Sequence, residues 1–295
     1  MALVHRTRAE DTFAIGWSQL GERHFSVQAR LPSKHPFFSP ADGDTYDPLL
    51  LVETMRQASI MVSHAGLAVP LGYHFMLSDL EFTCRPQYLG VDAEAADMDV
   101  EVFLPEIATN KSGQPSRLTC HWIMRRAGWV VATGVGQTRF TSPSVYRRLR
   151  AGREASGVSV PPVPRLAPYR VGRSRAQDVL LCEGGERNEW LLSVDTTLPT
   201  LFQHPNDHVP GMVLLEAARQ AATATAGPGP YVPSSGSATF RQYAEFGAPF
   251  RLRTEIVRKG VCAGDRTGVR VVGHQSGEPV FDCVLAAPVY ATLAG

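Results

Sequence analysis

Two sets of ionisable residues recur in this chain with the same spacing: Glu53, Arg56 and Gln57, then Glu216, Arg219 and Gln220. Intervals of three and four residues put each trio on one face of a helix. The residues around them are almost all apolar, so each trio is carried either into the interior or onto the wall of a cavity. Burial raises the pKa of such a carboxylate, whereas an Arg one turn away lowers it. Two readings follow: a base poised near neutral pH, or an ion pair that fixes the packing of two helices.

The segment leading into the second set is richer still. Leu201-Phe202-Gln203-His204-Pro205-Asn206-Asp207-His208-Val209-Pro210-Gly211 brings His204, Asp207 and His208 close to Glu216 in the chain. Together with Glu53 and Glu216 they form the candidate catalytic set, because His and carboxylate side chains move protons at physiological pH. Unpaired N–H groups at a helix start near Gly211 suit an oxyanion or a phosphate. The first half offers Lys34 and His35, with Asp42-Gly43-Asp44 following, a thinner set suited to ligand contacts. Arg241, shortly after the second helix, is a further cation for a phosphate. No GxSxG elbow, P-loop or HExxH motif is present, and Gly134-Val135-Gly136 lacks the third glycine of a dinucleotide loop, so neither cofactor nor metal is expected.

The elements that must position these residues are legible. Asp47 suits an N-cap with Pro48 at the first helical position, and apolar residues run nearly all round until Gly66 and Pro70. A second helix is predicted from Pro210 to about Thr225, ended by Gly227-Pro228-Gly229-Pro230. Alternation predicts strands at Phe25–Leu31, Leu118–Met124, Trp129–Phe140, Arg251–Val257, Gly268–Val272 and Val280–Ala286.

The two helices are also copies of one another. Glu, Arg, Gln and Ala of Glu53-Thr54-Met55-Arg56-Gln57-Ala58 match Glu216-Ala217-Ala218-Arg219-Gln220-Ala221 at an offset of 163 residues. Asp79-Leu80-Glu81-Phe82 matches Tyr243-Ala244-Glu245-Phe246 at an offset of 164. A period of about half the chain means a duplicated domain. Between the copies, prolines and arginines crowd residues 143–175, a composition read as a linker with no helix or inner strand. Its Arg cluster could dock an acidic protein. The expected division is therefore 1–142, a linker at 143–175, and 176–295. The class is α+β, each half a long helix wrapped by an antiparallel sheet, with the halves side by side as a pseudo-dimer.

Composition excludes other classes. The 29 Lys and Arg against 28 Asp and Glu give a net charge of +1, with no electrostatic ground for nucleic acid or anionic membrane. No run of about 18 apolar residues exists to span a bilayer. Five cysteines, an odd count without CxxC spacing, read as reduced thiols of a cytoplasmic protein.

Val209-Pro210-Gly211-Met212-Val213-Leu214-Leu215-Glu216 resembles the central helix of hotdog-fold acyl-carrier-protein dehydratases, whose catalytic His falls where this chain has Phe202. A fuller resemblance covers both halves. His35-Pro36-Phe37-Phe38-Ser39-Pro40, Tyr46-Asp47-Pro48 with the helix through Ala58, and Asp207-His208-Val209-Pro210-Gly211-Met212 resemble the A-factor biosynthesis (AfsA-type) family of actinobacteria. That resemblance implies two tandem hotdog domains and a reaction. A β-ketoacyl group passes from acyl carrier protein to dihydroxyacetone phosphate, giving a phosphorylated butenolide on the way to γ-butyrolactone or furan-type signalling molecules.

In that reaction Arg56 or Arg219 is the expected phosphate ligand ahead of Lys34 or Arg241, with Gln57, Gln220, His35 and Gly211 as further substrate contacts. Sites across a pseudo-dimer pair Glu53 with the His204–His208 segment and Glu216 with the His35 segment; the first has the fuller polar set. The chain is expected to work as a monomer with an internal pseudo-dimer or as a homodimer. A dehydratase, a thioesterase and a non-catalytic acyl-binding regulatory module are the alternatives.

Overall fold

The computed structural model describes residues 1–38, 44–151, 153, 161, 163–203, 206–227, 231–257 and 266–288. Among these residues twelve strands form one antiparallel sheet in the order β1-β2-β4-β5-β6-β3-β9-β12-β11-β10-β8-β7. The first half supplies β1 (Ala14–Gly21), β2 (His24–Leu31), β3 (His74–Cys84), β4 (Ala96–Thr109), β5 (Pro115–Arg126) and β6 (Trp129–Thr141). The second supplies β7 (Leu181–Glu183), β8 (Glu189–Leu192), β9 (Ser235–Phe240), β10 (Phe250–Val257), β11 (Arg266–Gln275) and β12 (Glu278–Pro288). Each half wraps one long helix, α1 (Pro48–Ala65) or α3 (Gly211–Ala226), which is the tandem hotdog arrangement.

Both helices form where the sequence places them. The Asp47 side chain accepts the Leu49 N–H at 2.8 Å, and Pro48 follows at the first helical position. Every residue of α1 is buried except Arg56 and Ala65. A helix so apolar is stable only with protein on nearly all sides, which two wrapped halves supply. At its end a Cβ on Gly66 would stand 2.6 Å from the Phe25 ring, so only glycine lets β2 approach the helix so closely.

The halves join through the sheet itself. Strand β3 pairs with β9 from Asp79↔Thr239 to Thr83↔Ser235. That pairing stops at Thr239, one residue before β9 ends, and here the repeat at offset 164 needs correction. Asp79–Phe82 lies within β3, but Tyr243–Phe246 leaves the sheet, and His74–Leu77 pair only with β6. The matching sequence has a different local structure: Met76 of β3 and Gln275 of β11 hold Tyr243 and Glu245 from the sheet, while Tyr146 and Arg150 hold them from outside it.

The partners outside the sheet, Tyr146 and Arg150, lie in the stretch read as a linker. Residues 143–150 form a helix, α2 (Pro143–Arg150), contrary to the expectation of none there. Pro143 sits at its first position, where a missing N–H costs nothing, and Ser142 Oγ accepts from the Val145 N–H at 3.4 Å. Composition misled because a proline breaks a helix interior and not its start. The four described cysteines are unbridged, and no described helix is long and apolar enough to cross a membrane.

Candidate active site

Glu53 sits at the centre of a closed network. Its Oε1 accepts from Arg6 Nε (3.0 Å), Arg56 Nη2 (2.8 Å) and Gln57 Nε2 (2.8 Å), while Oε2 accepts from Arg56 Nε (2.7 Å). Gln57 also donates to Asp11 O and accepts from the Phe13 N–H, each at 2.8 Å. Glu216 repeats the arrangement. Arg173 Nε (2.9 Å), Arg219 Nη2 (2.7 Å) and Gln220 Nε2 (2.6 Å) donate to its Oε1, and Arg219 Nε (2.9 Å) to its Oε2. Gln220 bonds Asp178 O and the Leu180 N–H, each at 2.8 Å.

Burial works against the charge of each carboxylate, and two guanidiniums outweigh it, so both are held at about 2. A base poised near neutrality is therefore not what these glutamates are: they stay ionised, with their acceptor sites occupied. What they do is fix Arg56 and Arg219 by paired contacts.

The networks also cross between halves. Arg6 Nη1 donates to Thr200 O at 3.1 Å, and Arg173 Nη1 to Phe37 O at 2.5 Å. Sequence reasoning missed both arginines and left Arg173 in the linker. The signal was present as a further repeat, Val4-His5-Arg6-Thr7-Arg8-Ala9-Glu10-Asp11 against Val171-Gly172-Arg173-Ser174-Arg175-Ala176-Gln177-Asp178, at an offset of 167 residues.

A different cluster forms ahead of α3. His208 Nδ1 lies 2.7 Å from Asp207 Oδ1, and the Tyr146 hydroxyl donates to the same oxygen at 2.6 Å. Arg150 Nε donates to Asp207 Oδ2 at 2.8 Å, while Nη1 and Nη2 grip Glu245 at 2.7 Å each. Hydrogen bonds from Tyr146, Arg150 and His208 overcome burial and hold Asp207 well below the usual carboxylate range. Burial lowers the His208 pKa against the pull of Asp207, so the imidazole is neutral at pH 7. With Nδ1–H given to Asp207, Nε2 is the basic nitrogen, and it has no hydrogen-bond partner among the described residues. Tyr243 packs edge-on against the imidazole at 4.6 Å, and Tyr146 stacks on His74 at 3.6 Å. Tyr146 and Arg150 come from α2, where a spacing of four residues in an arginine-rich stretch was the overlooked signal.

A cavity of about 70 Å³ opens between α1 and the first half of the sheet. Arg56, Leu77, Leu80, Leu118 and Trp122 line it, and Met212 of α3 closes it from the second half. Arg56 is the guanidinium on its wall and keeps Nη1 outside the Glu53 contacts. Burial pushes the cavity-lining Cys120 thiol up to about 12, which removes it as a nucleophile. At the start of α3, Val213 and Leu214 N–H both turn to Pro210 O (2.9 and 3.3 Å), while Gly211 and Met212 N–H find no acceptor among the described residues.

The remaining sequence candidates are dispersed. His35 is buried, its Nδ1 accepting from the Phe37 and Phe38 N–H groups at 3.1 Å each and its Nε2 3.2 Å from Asp11 Oδ1. Lys34 is exposed, and Arg241 is half exposed, 3.6 Å from Asp282. Arg219 is buried, its side chain 8% exposed against 29% for Arg56. His204, Asp42 and Gly43 lie outside the described residues.

Comparison with known proteins bears on the family and the fold. Residues 1–142 and 159–249 match the family model described as the A-factor biosynthesis hotdog domain, AfsA. A Streptomyces coelicolor protein named 2-oxo-3-(phosphooxy)propyl 3-oxoalkanoate synthase is 50% identical over 291 residues, 99% of this chain and 92% of its own. A protein of the same name from Streptomyces virginiae is 41% identical over 287 residues, 96% of this chain and 95% of its own. Among solved structures, a putative oleoyl thioesterase from Lactobacillus plantarum aligns over 91% of this chain and 97% of its own, with a TM-score of 0.55 at 12% identity. The 12:0-ACP thioesterase from Umbellularia californica aligns over 92% and 99%, with a TM-score of 0.53 at 11% identity. At such identities these two share the fold alone. A family match over both halves and relatives similar along nearly the whole chain lead to one conclusion: the chain belongs to the AfsA family of A-factor biosynthesis hotdog proteins.

Proposed function

We propose that the protein is an acyltransferase that moves a β-ketoacyl group from the thioester of acyl carrier protein to a hydroxyl of dihydroxyacetone phosphate. The ester then condenses within itself to a phosphorylated butenolide, a precursor of γ-butyrolactone or furan-type signalling molecules. The name of the relatives describes that ester, a 3-oxoalkanoate of a phosphorylated oxopropyl alcohol. One observation carries the reading for this chain. A neutral imidazole with an open Nε2, His208, stands four residues before Met212, which lines an apolar cavity walled by the ion-paired guanidinium of Arg56.

The chemistry follows from those groups. His208 Nε2 takes the hydroxyl proton as the alcohol oxygen attacks the thioester carbonyl. The oxyanion is stabilised by the Gly211 and Met212 N–H groups. As the C–O bond forms and the C–S bond breaks, the proton returns to the departing thiolate. Arg56 grips the phosphate, preferred over the enclosed Arg219 and over the exposed Lys34 and Arg241, which do not line the cavity. Glu53 and Glu216 act through the arginines they orient, and His35 through the loop it holds. The site draws on both halves, so one chain suffices in the cytoplasm. The second half, assigned to 176–295 on composition, is best extended back to include Arg173.

Purified protein given a β-ketoacyl thioester and dihydroxyacetone phosphate is expected to release thiol and form a phosphorylated lactone, read by mass spectrometry. Thiol release that is equally fast without the triose phosphate would make it a thioesterase. Loss of water from a 3-hydroxyacyl thioester would make it a dehydratase, and ligand binding without turnover a regulatory module.

A further inference from the structure

The cavity beside α1 is lined on the sheet side by two aromatic rings, Phe75 of β3 and Trp122 of β5, the indole being the larger. Trp122 of β5 is buried, and its indole lies across β6 where two glycines make room. A Cβ on Gly136 would stand 2.3 Å from Trp122 Cη2, and one on Gly134 would stand 3.1 Å from Cε3 and 3.2 Å from Met55 Sδ. Any side chain at Gly136 would therefore lift the ring from the strand. The ring is also tied to the helix, because Trp122 Nε1 donates to Ser59 Oγ at 2.8 Å, and Ser59 Oγ donates in turn to Met55 O at 3.1 Å. A satisfied N–H lets the indole face an apolar space without a desolvation cost. An isolated packing role would leave no void beside so large a ring, since protein interiors are close-packed. Here the ring borders the cavity, together with Leu118 and Leu80.

We propose that this cavity takes the acyl chain of the substrate and that Trp122, seated on Gly134 and Gly136 and pinned by Ser59, is the wall that limits its length. The proposal rests on the acyl-transfer reading above and adds the residue that sets specificity. A hydrocarbon chain entering past Arg56 and Met212 meets Leu77, Leu80 and Leu118, with the indole as the fixed boundary. Each methylene that a rigid apolar pocket fails to admit costs roughly ten-fold or more in selectivity.

The test is a series of β-ketoacyl thioesters of increasing length, scored by product mass spectrometry with Trp122→Ala and Thr138→Phe. The first variant removes the ring, and the second adds bulk to another cavity-lining position. Trp122→Ala is expected to raise the relative kcat/KM for chains longer than the wild-type optimum by roughly ten-fold or more. Thr138→Phe is expected to move the optimum towards shorter chains. Binding of the same series by native mass spectrometry reads the profile without turnover, so failure of the transferase reading does not hide the result. A folded Trp122→Ala protein with the wild-type length profile would overturn the proposal. If that variant fails to fold, an unchanged profile in Thr138→Phe overturns it equally.

Discussion

Arg6 and Arg173 occupy equivalent places in the two halves: each donates through Nε to a buried glutamate, Glu53 at 3.0 Å and Glu216 at 2.9 Å, and each reaches a backbone carbonyl of the opposite half. The repeat thus extends beyond the helices to the segments that close them. Neither network is complete without residues well before its helix, and each ties the two halves together.

Removing one arginine leaves a buried carboxylate short of charge. Arg173→Ala is expected to lower stability by about 3–5 kcal/mol, the usual cost of breaking a buried pair. Combining it with Glu216→Gln should cost less than the sum of the two changes, because the partners are coupled. Urea unfolding curves measure both, and a wild-type midpoint for Arg173→Ala would refute the clamp.

Acid should weaken the same networks. Glu53 and Glu216 have folded pKa values of about 2 against 4.5 in an unconstrained chain. Below 4.5 the unfolded state therefore takes up protons that the folded state refuses. Their contribution is complete above about pH 4.5 and is lost as pH falls from there towards 2. Tm followed across that window should drop, and the drop should be shallower in Glu53→Gln and Glu216→Gln.

On the proposed mechanism, His208 is expected to set a different pH limit. Its pKa is lowered from 6.5, so the basic form prevails at neutrality and kcat/KM should fall on an acid limb centred below 6.5. Asp207 pulls that pKa upwards, so Asp207→Asn should move the limb to still lower pH while reducing kcat through a misdirected imidazole. His208→Ala should cost about 10²–10⁴-fold in kcat with its fold intact by circular dichroism. Full turnover in that variant would remove His208 from the mechanism.

Arg56 is the test of phosphate recognition. Arg56→Lys keeps a positive charge but loses the planar fork, so KM for dihydroxyacetone phosphate should rise roughly ten-fold or more while the dependence on acyl length stays put. An unchanged KM for the triose phosphate would assign Arg56 to Glu53 alone.

Tyr146 ties α2 to Asp207 and His208. Tyr146→Phe deletes the hydroxyl that donates to Asp207 at 2.6 Å and is expected to cost about 1.5–3 kcal/mol, as hydrogen bonds to charged groups do. Thermal melts and kcat should both decline. A drop in neither would make α2 a bystander.

The sequence by itself determined the duplicated α+β architecture, the bounds of both long helices, and the meeting of Asp207 with His208. These depend on local rules: an Asp-Pro helix start, apolar runs closed by glycine and proline, and neighbours in the chain. What Glu53 and Glu216 do was decided only by tertiary structure. A helix face says that a carboxylate is buried, but its proton affinity depends on which distant charges arrive, and Arg6 and Arg173 lie more than forty residues away along the chain. The role of α2 was hidden for the same reason. Tyr146 and Arg150 acquire meaning only once the chain leaves the sheet after Phe240, bringing Glu245 to Arg150, and once Asp207 meets both of them. Local propensity acts over a few residues, whereas electrostatics and packing act through space, and this site is assembled through space.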